Sequence, residues 1–513
     1  MQRFVQRHED HITGVLSGFD RVLFRGTFRS ISYSEGMEKF LAAHRVLYKD
    51  FGKFVEGVSQ EIRRRAEEYA AEHDRPYRYL QSSATSKEDV ARSIAERDKV
   101  AQGLICVLSC VEPCQTFGLR KDRKTKWLHL EPAKRKCLHF YYYFMDREFG
   151  LMHVRLQSWL PMSIQVCLNG REYLARRLDR AGIGYRKQGN CFTQIDDLPR
   201  AQRMLDDLGE RNWVSFLNAL ARRVNPWAKP RNSLDLHGYY WTFRQSEYAT
   251  DVMFKGERSL QAIYPSLVDH AIRQFGCRDV MRFWGRRLTA KFQGEITSNI
   301  RHGPEGVRVK HWVDENSIKM YDKAGSVLRV ETTLNNPRRL KVRRMATRNG
   351  QTELAWIPMR KGVVDIARRI DVSRAANERY LEALGVIGAP APTRQVIDPV
   401  CKRITRKGRS YRALRPIEAS EAKLFSVLLR GEFLFQGFRN KDVRRRLMPN
   451  SESSRDDRTR ASGRVTRLLR LLRVHDLIRK ISGTFYYRVT NRGQHVMTTA
   501  LKLREIDVTL LAT

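Results

Sequence analysis

The hydrophobic positions in the first 115 residues follow two periods, that of a helix and that of a buried strand. From 51 to 69 they recur every three or four residues, which predicts an amphipathic helix. Ser86 followed by Asp89 is typical of a capped helix start, and the apolar run 104–111 predicts a buried strand. A short hairpin is expected earlier, within 15–28. Strands and helices in this order predict a layered α/β unit.

A second hairpin, over 137–159, is rich in aromatic and basic residues. Strict alternation places His139, Tyr141 and Tyr143 on one face of its first strand and Arg155 on the corresponding face of its second. If this face is exposed, Tyr141, Tyr143 and Arg155 are nucleic-acid-binding residues, because rings stack on bases and arginine pairs with phosphate. The alternative is a tyrosine-rich sheet packed under a helix.

Three short apolar strands separated by turn residues predict a β-meander in the middle of the chain. The strands are expected at 307–313, 317–322 and 327–333, and a basic cluster follows at 338–344. Proline-containing, loop-like stretches at 225–233 and 388–392 predict boundaries on either side of this region.

The last hundred residues predict a compact order of helices and one hairpin. Helices are expected at 419–430, 440–448 and 459–475, then a hairpin over 477–490 and a final helix from 491. This is the order of a winged helix-turn-helix. Along the third helix arginines repeat every three residues, at Arg464, Arg467, Arg470 and Arg473. Such a ridge can enter a DNA major groove and address guanine, whereas the alternative is a solvated face of a helix that only dimerises.

The segments Leu471–Lys480 and Tyr486–Gly493 resemble the recognition helix and wing of MarR-type winged-helix regulators. The resemblance covers only the C-terminal part of the chain. It implies DNA binding through the long helix and the hairpin, so Arg479 and Lys480 join the four arginines as nucleic-acid-binding residues. It also implies a homodimer.

These patterns predict a mixed α+β fold of the α/β class, with antiparallel sheet elements in a multidomain body and a winged helix-turn-helix at the C-terminus. A basic α/β domain with the aromatic hairpin is expected over 1–225, and an α+β domain with the meander over 226–387. A basic, proline-containing linker is expected over 388–415, and the winged helix over 416–513.

The net charge of the chain indicates which class of partner it binds. Lysine and arginine number 96 against 56 acidic residues, so the formal net charge is +40. Such a chain calls for a polyanion, with DNA favoured and RNA as the alternative. No membrane partner is expected, because the longest apolar run is far shorter than the ~20 residues of a spanning helix. The eight cysteines form no Cys-x-x-Cys pair, which favours a reducing, cytoplasmic location.

One short stretch points to catalysis, although the sequence lacks a Walker loop, a dinucleotide fingerprint, a zincin helix and a serine-hydrolase elbow. The segments Asn316–Lys323 and Leu328–Glu331 resemble strands of rolling-circle replication initiators (Rep proteins). The resemblance implies Tyr321 as a nucleophile on a DNA phosphate, Lys323 as the phosphate partner and Glu331 as a ligand of a divalent metal, Mg²⁺ or Mn²⁺.

The metal motif of that family, two histidines flanking one hydrophobic residue, is absent, and the nearest fragment is the pair His129 and Glu131. A two-residue turn at 324–325 would also place Tyr321 opposite Leu328, on the core side of the sheet. A further alternative is a metal-dependent nuclease that uses Asp20, Glu112 and Glu131.

The leading expectation is a site-specific DNA-binding protein, of the kind encoded by mobile elements or plasmids for replication or transposition. A tyrosine-dependent DNA nicking-joining enzyme and an RNA-binding component of a ribonucleoprotein are the alternatives. No cofactor is expected unless the chain is catalytic, in which case a divalent metal is required.

Overall fold

The structure, a computed structural model, describes residues 1–124, 126–290, 292–303, 306–348, 351–387, 393–406, 408–449 and 454–506. The chain forms two compact units, Met1–Ile387 and Gly388–Thr513. The first unit has a mixed α/β fold, and the second is mainly helical. The start of the predicted linker, 388–392, lies outside the described residues.

The first unit is built on an eleven-stranded sheet with the order β10-β11-β12-β13-β9-β1-β6-β5-β4-β3-β2. Its named strands are β1 Ile12–Thr27, β2 Tyr77–Leu80, β3 Gly103–Lys121, β4 Leu128–Asp146, β5 Gly150–Gln157, β6 Ile164–Asn169, β7 Tyr185–Gln188, β8 Cys191–Ile195, β9 Tyr240–Phe254, β10 Ile296–Gly303, β11 Gly306–Val313, β12 Asn316–Lys323, β13 Val327–Leu334, β14 Lys341–Arg348 and β15 Gln351–Pro358. The pairs β7–β8 and β14–β15 form separate two-stranded sheets. Within the large sheet β2 pairs with β3 in parallel, and the other described pairs are antiparallel.

Helices of the first unit pack against this sheet. They are α1 Gln2–Arg7, α2 Ser34–Ala43, α3 Phe51–Glu72, α4 Lys87–Arg97, α5 Gly170–Ala181, α6 Leu198–Asp206, α7 Trp213–Val224, α8 Glu257–Gln261, α9 Tyr264–Arg273, α10 Cys277–Phe283 and α11 Ile366–Leu384. The predicted helix over 51–69 is α3, whose apolar positions line the core. The Ser86 hydroxyl accepts from the backbone N–H of Asp89 (3.2 Å) and caps α4, as the sequence predicts.

Two predictions about the first unit are corrected by β1. Residues 15–28 form no hairpin, because β1 is one continuous strand that pairs with β6 on one side and β9 on the other. The boundary expected at 225/226 falls inside the first unit for the same reason. The pairing of β1 with β9 joins the regions 1–225 and 226–387 into one sheet.

The second unit packs short helices around an apolar core. Its elements are α12 Thr393–Ile397, β16 Ile404–Arg406, β17 Arg409–Tyr411, α13 Ala419–Leu428, α14 Gly431–Gln436, α15 Asn440–Leu447, α16 Arg455–Val474, β18 Ile478–Lys480, β19 Tyr487–Val489 and α17 Asn491–Glu505. The core includes Phe425, Val465, Leu469 and Leu472. Phe438 forms a single antiparallel bridge with Tyr487, which attaches the β18–β19 hairpin to the loop before α15.

No helix in the described part of the chain combines the length and apolar character that crossing a membrane requires.

Candidate nucleic-acid interface

Helix α16 is a long element of the second unit that carries several exposed arginines. It begins four residues earlier than the sequence pattern predicts, because the Ser454 hydroxyl accepts from the backbone N–H of Asp457 (3.0 Å) and caps it there. The extra turn places Arg455 and Arg458 on the helix. Sequence reasoning missed both residues, although the Ser454–Asp457 spacing is a recognisable cap signal.

The four predicted arginines of α16 are all exposed, whereas Val465, Leu469 and Leu472 are buried. Because residues three apart on a helix differ by about 60° in direction, the four arginines spread over half of its circumference rather than forming a single ridge. Arg467 and Arg470 point most directly away from the core, and Arg464 and Arg473 lie on the flanks. Arg460, about two turns before Arg467, shares its side.

The β18–β19 hairpin adds a second basic edge. Arg479 lies directly opposite Arg488 across the two strands, and Lys480 lies opposite Tyr487. Like charges placed opposite one another destabilise a strand pair unless an anion lies between them. At the hairpin tip Phe485 is 82% exposed, and the Lys480 ammonium lies 5.7 Å from its ring centroid. Phe485 and Arg488 were missed from the sequence, where they look like ordinary hairpin residues.

Ion pairing distinguishes the four predicted arginines of α16 from other arginines of the second unit. Within the described part of the chain, Arg464, Arg467, Arg470 and Arg473 form no ion pair. Other arginines of the same unit are paired, as Arg430 is with Glu432 (3.1 Å). The arrangement therefore leaves positive charge free along α16.

In the first unit, the structure corrects the predicted position of Tyr321. The loop between β12 and β13 has three residues, 324–326, so Tyr321 lies opposite Arg329 and not opposite Leu328. A one-residue change of register moves a side chain to the other face of a sheet. Tyr321 therefore lies on the polar side, with Arg329 and Glu331.

The structure brings two of the three predicted catalytic residues together. The Tyr321 hydroxyl donates to Glu331 Oε2 (2.8 Å), and the Lys319 ammonium lies 2.9 Å from Glu331 Oε1. Burial raises the pKa of Tyr321, and the Glu331 charge adds to the increase. Burial also raises the pKa of Glu331, against the opposing effect of Lys319. The proton of the tyrosine hydroxyl is therefore directed at this carboxylate.

The third predicted residue, Lys323, acts on a different group. It is among the cations that, with Arg171 and Arg329, hold the pKa of Asp251 below its usual value although burial would raise it. Arg329 donates to both oxygens of Asp251 (2.6 and 2.9 Å), and its Nη1 lies 3.3 Å from Asp20 Oδ2.

The three carboxylates of the alternative nuclease site do not converge. Asp20 is held by Asn190 and Arg329 beneath the β7–β8 hairpin, and Glu112 is paired with Lys87 and Arg155. Glu131 pairs with Arg120. It lies on β4 opposite Gly118, which is six residues, or about 20 Å, along β3 from Glu112. The expectation that Asp20, Glu112 and Glu131 share a metal is therefore wrong.

The predicted metal pair His129 and Glu131 is in contact, with His129 Nε2 3.0 Å from Glu131 Oε1. Both side chains are exposed, and the Arg120 guanidinium also binds this carboxylate. Across the described residues, no group of three or more histidine, cysteine, aspartate or glutamate side chains has the geometry to hold a metal ion. His129 and Glu131 thus lack a third protein ligand of these types there.

The aromatic hairpin is found, and its exposure is corrected. Tyr141 and Tyr143 share a face, opposite Arg155 and His153 respectively, as alternation predicts. They are only 9% and 3% exposed, because they form a small apolar cluster with helix α4. The Tyr141 hydroxyl donates to Glu112 (2.8 Å). The two rings are therefore packed under a helix and offer no stacking platform.

The described residues offer an exposed cationic surface in the second unit and a tyrosine–carboxylate pair in the first. No protein-family model, no curated protein and no solved structure matches the chain. Arginines on a helix suit phosphates and guanine edges, and a tyrosine beside a carboxylate suits attack on a phosphoryl group.

Proposed function

We propose that the second unit is a winged helix-turn-helix that binds duplex DNA at a specific sequence, with α16 as the recognition helix and the β18–β19 hairpin as the wing. The order α13, the strand bridge at Phe438, α15, α16 and then the hairpin supports this proposal. The observation that carries it is that Arg464, Arg467, Arg470 and Arg473 are exposed along α16 and form no ion pair within the described residues.

The role of each arginine follows from the direction in which it points from α16. Arg467 and Arg470, which point away from the core, reach base edges, where an arginine bound to guanine O6 and N7 contributes about 1–3 kcal/mol of discrimination. Arg464, Arg473 and the hairpin residue Arg479 bind phosphates, which fixes the position of the helix on the duplex without reading its sequence.

The test is an affinity comparison on a selected site. The full chain selects its preferred duplex from a random pool, and binding of Arg467→Ala/Arg470→Ala is then measured on that duplex and on a scrambled one. We expect the loss on the selected duplex to exceed the loss on the scrambled duplex by at least tenfold.

Arg430→Ala is the matched control, because Arg430 is an exposed arginine of the same unit already paired with Glu432. It should change neither affinity by more than about twofold. Equal losses on both duplexes for the double variant would show that α16 contributes charge only and would contradict the recognition role.

A second candidate activity is supported by the contact between Tyr321 and Glu331. The tyrosine oxygen would attack a DNA phosphorus while its proton passes to Glu331, the strand oxygen would leave, and the phosphotyrosine bond would retain the energy for rejoining. Tyr321→Phe removes the nucleophile and retains the ring. It should abolish a covalent protein–DNA adduct on the selected duplex with added Mg²⁺ or Mn²⁺ while binding is unchanged. Absence of an adduct with the parent protein would contradict this activity.

A further inference from the structure

An arginine cluster lies on the polar face of the large sheet of the first unit, on strands other than the one that carries Tyr321. Arg25 on β1 and Arg155 on β5 flank Gln165 on β6 as direct cross-strand neighbours. Arg244 joins them from β9, at a β-bulge where the register with β1 shifts between Leu23 and Phe24. Bulges of this kind re-aim a side chain, and here the bulge brings a third guanidinium to the same place.

Gln165 links the cluster. With its amide oriented so that the carbonyl oxygen faces the arginines, it accepts from Arg155 Nη1 (3.0 Å) and from Arg244 Nη1 (2.6 Å). Gln165 is 8% exposed, so the side chain that the guanidinium groups share is buried. Gln165 is neutral, so it adds no negative charge to the cluster.

Few negative charges reach the cluster. Arg155 pairs with Glu112 (2.8 Å), which also serves Lys87, while Arg25 and Arg244 have no ion pair within the described residues. Burial, followed by the charges of Arg244 and Arg155, holds the pKa of Arg25 below its usual value. The buried Nε of Arg155 has no hydrogen-bond partner among the described atoms. Partly desolvated like charges raise the free energy of the unliganded protein, and an oxyanion would remove this cost.

A second group of cations lies further along the same face. Lys310 on β11 is directly opposite Lys319 on β12, and Arg308 is opposite Tyr321. Burial, followed by the charges of Lys319 and Arg308, lowers the pKa of Lys310. Between the two groups Arg21 pairs with Glu247 (2.9 Å). Two separated positive regions on one face suit a ligand with repeated negative charges.

We propose that Arg25, Arg155 and Arg244 form a phosphate-binding site, and that its ligand is the phosphodiester backbone of a nucleic-acid strand. Arginine is suited to this chemistry because its planar guanidinium donates two parallel hydrogen bonds to phosphate oxygens. The site extends the nucleic-acid interface to the first unit, and it does not depend on whether α16 reads sequence.

The test uses the full chain with Arg25→Gln/Arg244→Gln, which removes two charges and retains polar side chains. The matched control is Arg63→Gln/Arg92→Gln, which removes the same charge from exposed arginines paired with Glu67 and Glu88 on helices. Three probes are titrated between 50 and 200 mM salt: pyrophosphate, a 20-nucleotide single-stranded oligonucleotide and a duplex of unrelated sequence.

We expect the site variant to bind the oligonucleotide at least tenfold more weakly than the control. Its plot of log affinity against log salt should be shallower by about 1.4, the change for two lost phosphate contacts on a single strand. Its melting temperature without ligand should equal or exceed that of the parent, because repulsion is relieved. Pyrophosphate should raise the melting temperature of the parent more than that of the variant.

Three results would overturn the proposal. Oligonucleotide affinity equal to that of the control shows that the site binds no strand. A lower melting temperature with unchanged affinity shows that the arginines are structural. Loss of pyrophosphate binding alone overturns the strand assignment and leaves a small phosphate compound as the ligand. Arg467→Ala/Arg470→Ala, tested in parallel, should keep single-strand affinity, which separates this proposal from that for α16.

Discussion

At the scale of single residues, two residues of the same type differ in role because their neighbours and burial differ. Tyr141 and Tyr321 are both tyrosines on strands, and both hydroxyls donate to a carboxylate. Tyr141 is covered by helix α4, whereas Tyr321 is half-buried beside Lys319, a cation of the polar face. Neither outcome is visible from alternation, because burial depends on a helix elsewhere in the chain and register depends on one loop residue.

The buried pair Arg329 and Asp251 is a structural feature that sequence reasoning missed. Both side chains are 0% exposed, and Arg329 also contacts Asp20 and the backbone oxygen of Asn190. The pair therefore holds three strands and the β7–β8 hairpin together. In the sequence, Arg329 reads as one more basic residue of a basic chain.

Arg329→Met should destabilise the first unit by about 3–5 kcal/mol, because it leaves buried carboxylates without their partner. Urea unfolding followed by tryptophan fluorescence reports on the first unit, because all eight tryptophans precede residue 388. Arg21→Met, which removes the exposed partner of Glu247, should cost under about 1 kcal/mol. Similar losses in the free energy of unfolding for the two variants would show that the buried pair does not stabilise the first unit.

At the scale of elements, the local sequence pattern predicts individual helices and strands, but it does not predict which distant strands pair. The spacing of apolar residues correctly indicates α3, and the cap at Ser86 correctly indicates α4. The meander is confirmed as β11, β12 and β13. These features depend on neighbours in the chain. The continuous strand β1 was missed because its partner β9 lies about 230 residues away, beyond the reach of any local signal.

The cap of α16 gives a prediction at this scale. Ser454→Ala removes the acceptor for the Asp457 N–H and should fray the first turn, which orders Arg455 and Arg458, at a cost of about 1 kcal/mol. Affinity for the selected duplex should fall up to about fivefold. Ser86→Ala, an equivalent cap loss in the first unit, should lower the melting temperature and leave that affinity unchanged. Equal affinities for the two variants would exclude the first turn from the interface.

At the scale of the whole molecule, the formal net charge is +40. Composition alone indicates a polyanionic partner but does not say which cations are free. On α3 and α4 exposed arginines are paired with glutamates one turn away. The four predicted arginines of α16, and Arg25 and Arg244 on the large sheet, have no ion pair within the described residues. The candidate surfaces are thus distinguished by the absence of paired acids within the described residues, which requires coordinates.

The position of β1 at the centre of the large sheet also governs how the chain must fold. During synthesis its neighbour β9 emerges more than 200 residues after β1. Until then β1 presents an unpaired edge, and such edges promote aggregation. Contacts of such long sequence separation also slow folding, because loop closure precedes the stabilising pairs. A nascent first unit therefore keeps one edge of β1 unpaired until β9 has left the ribosome.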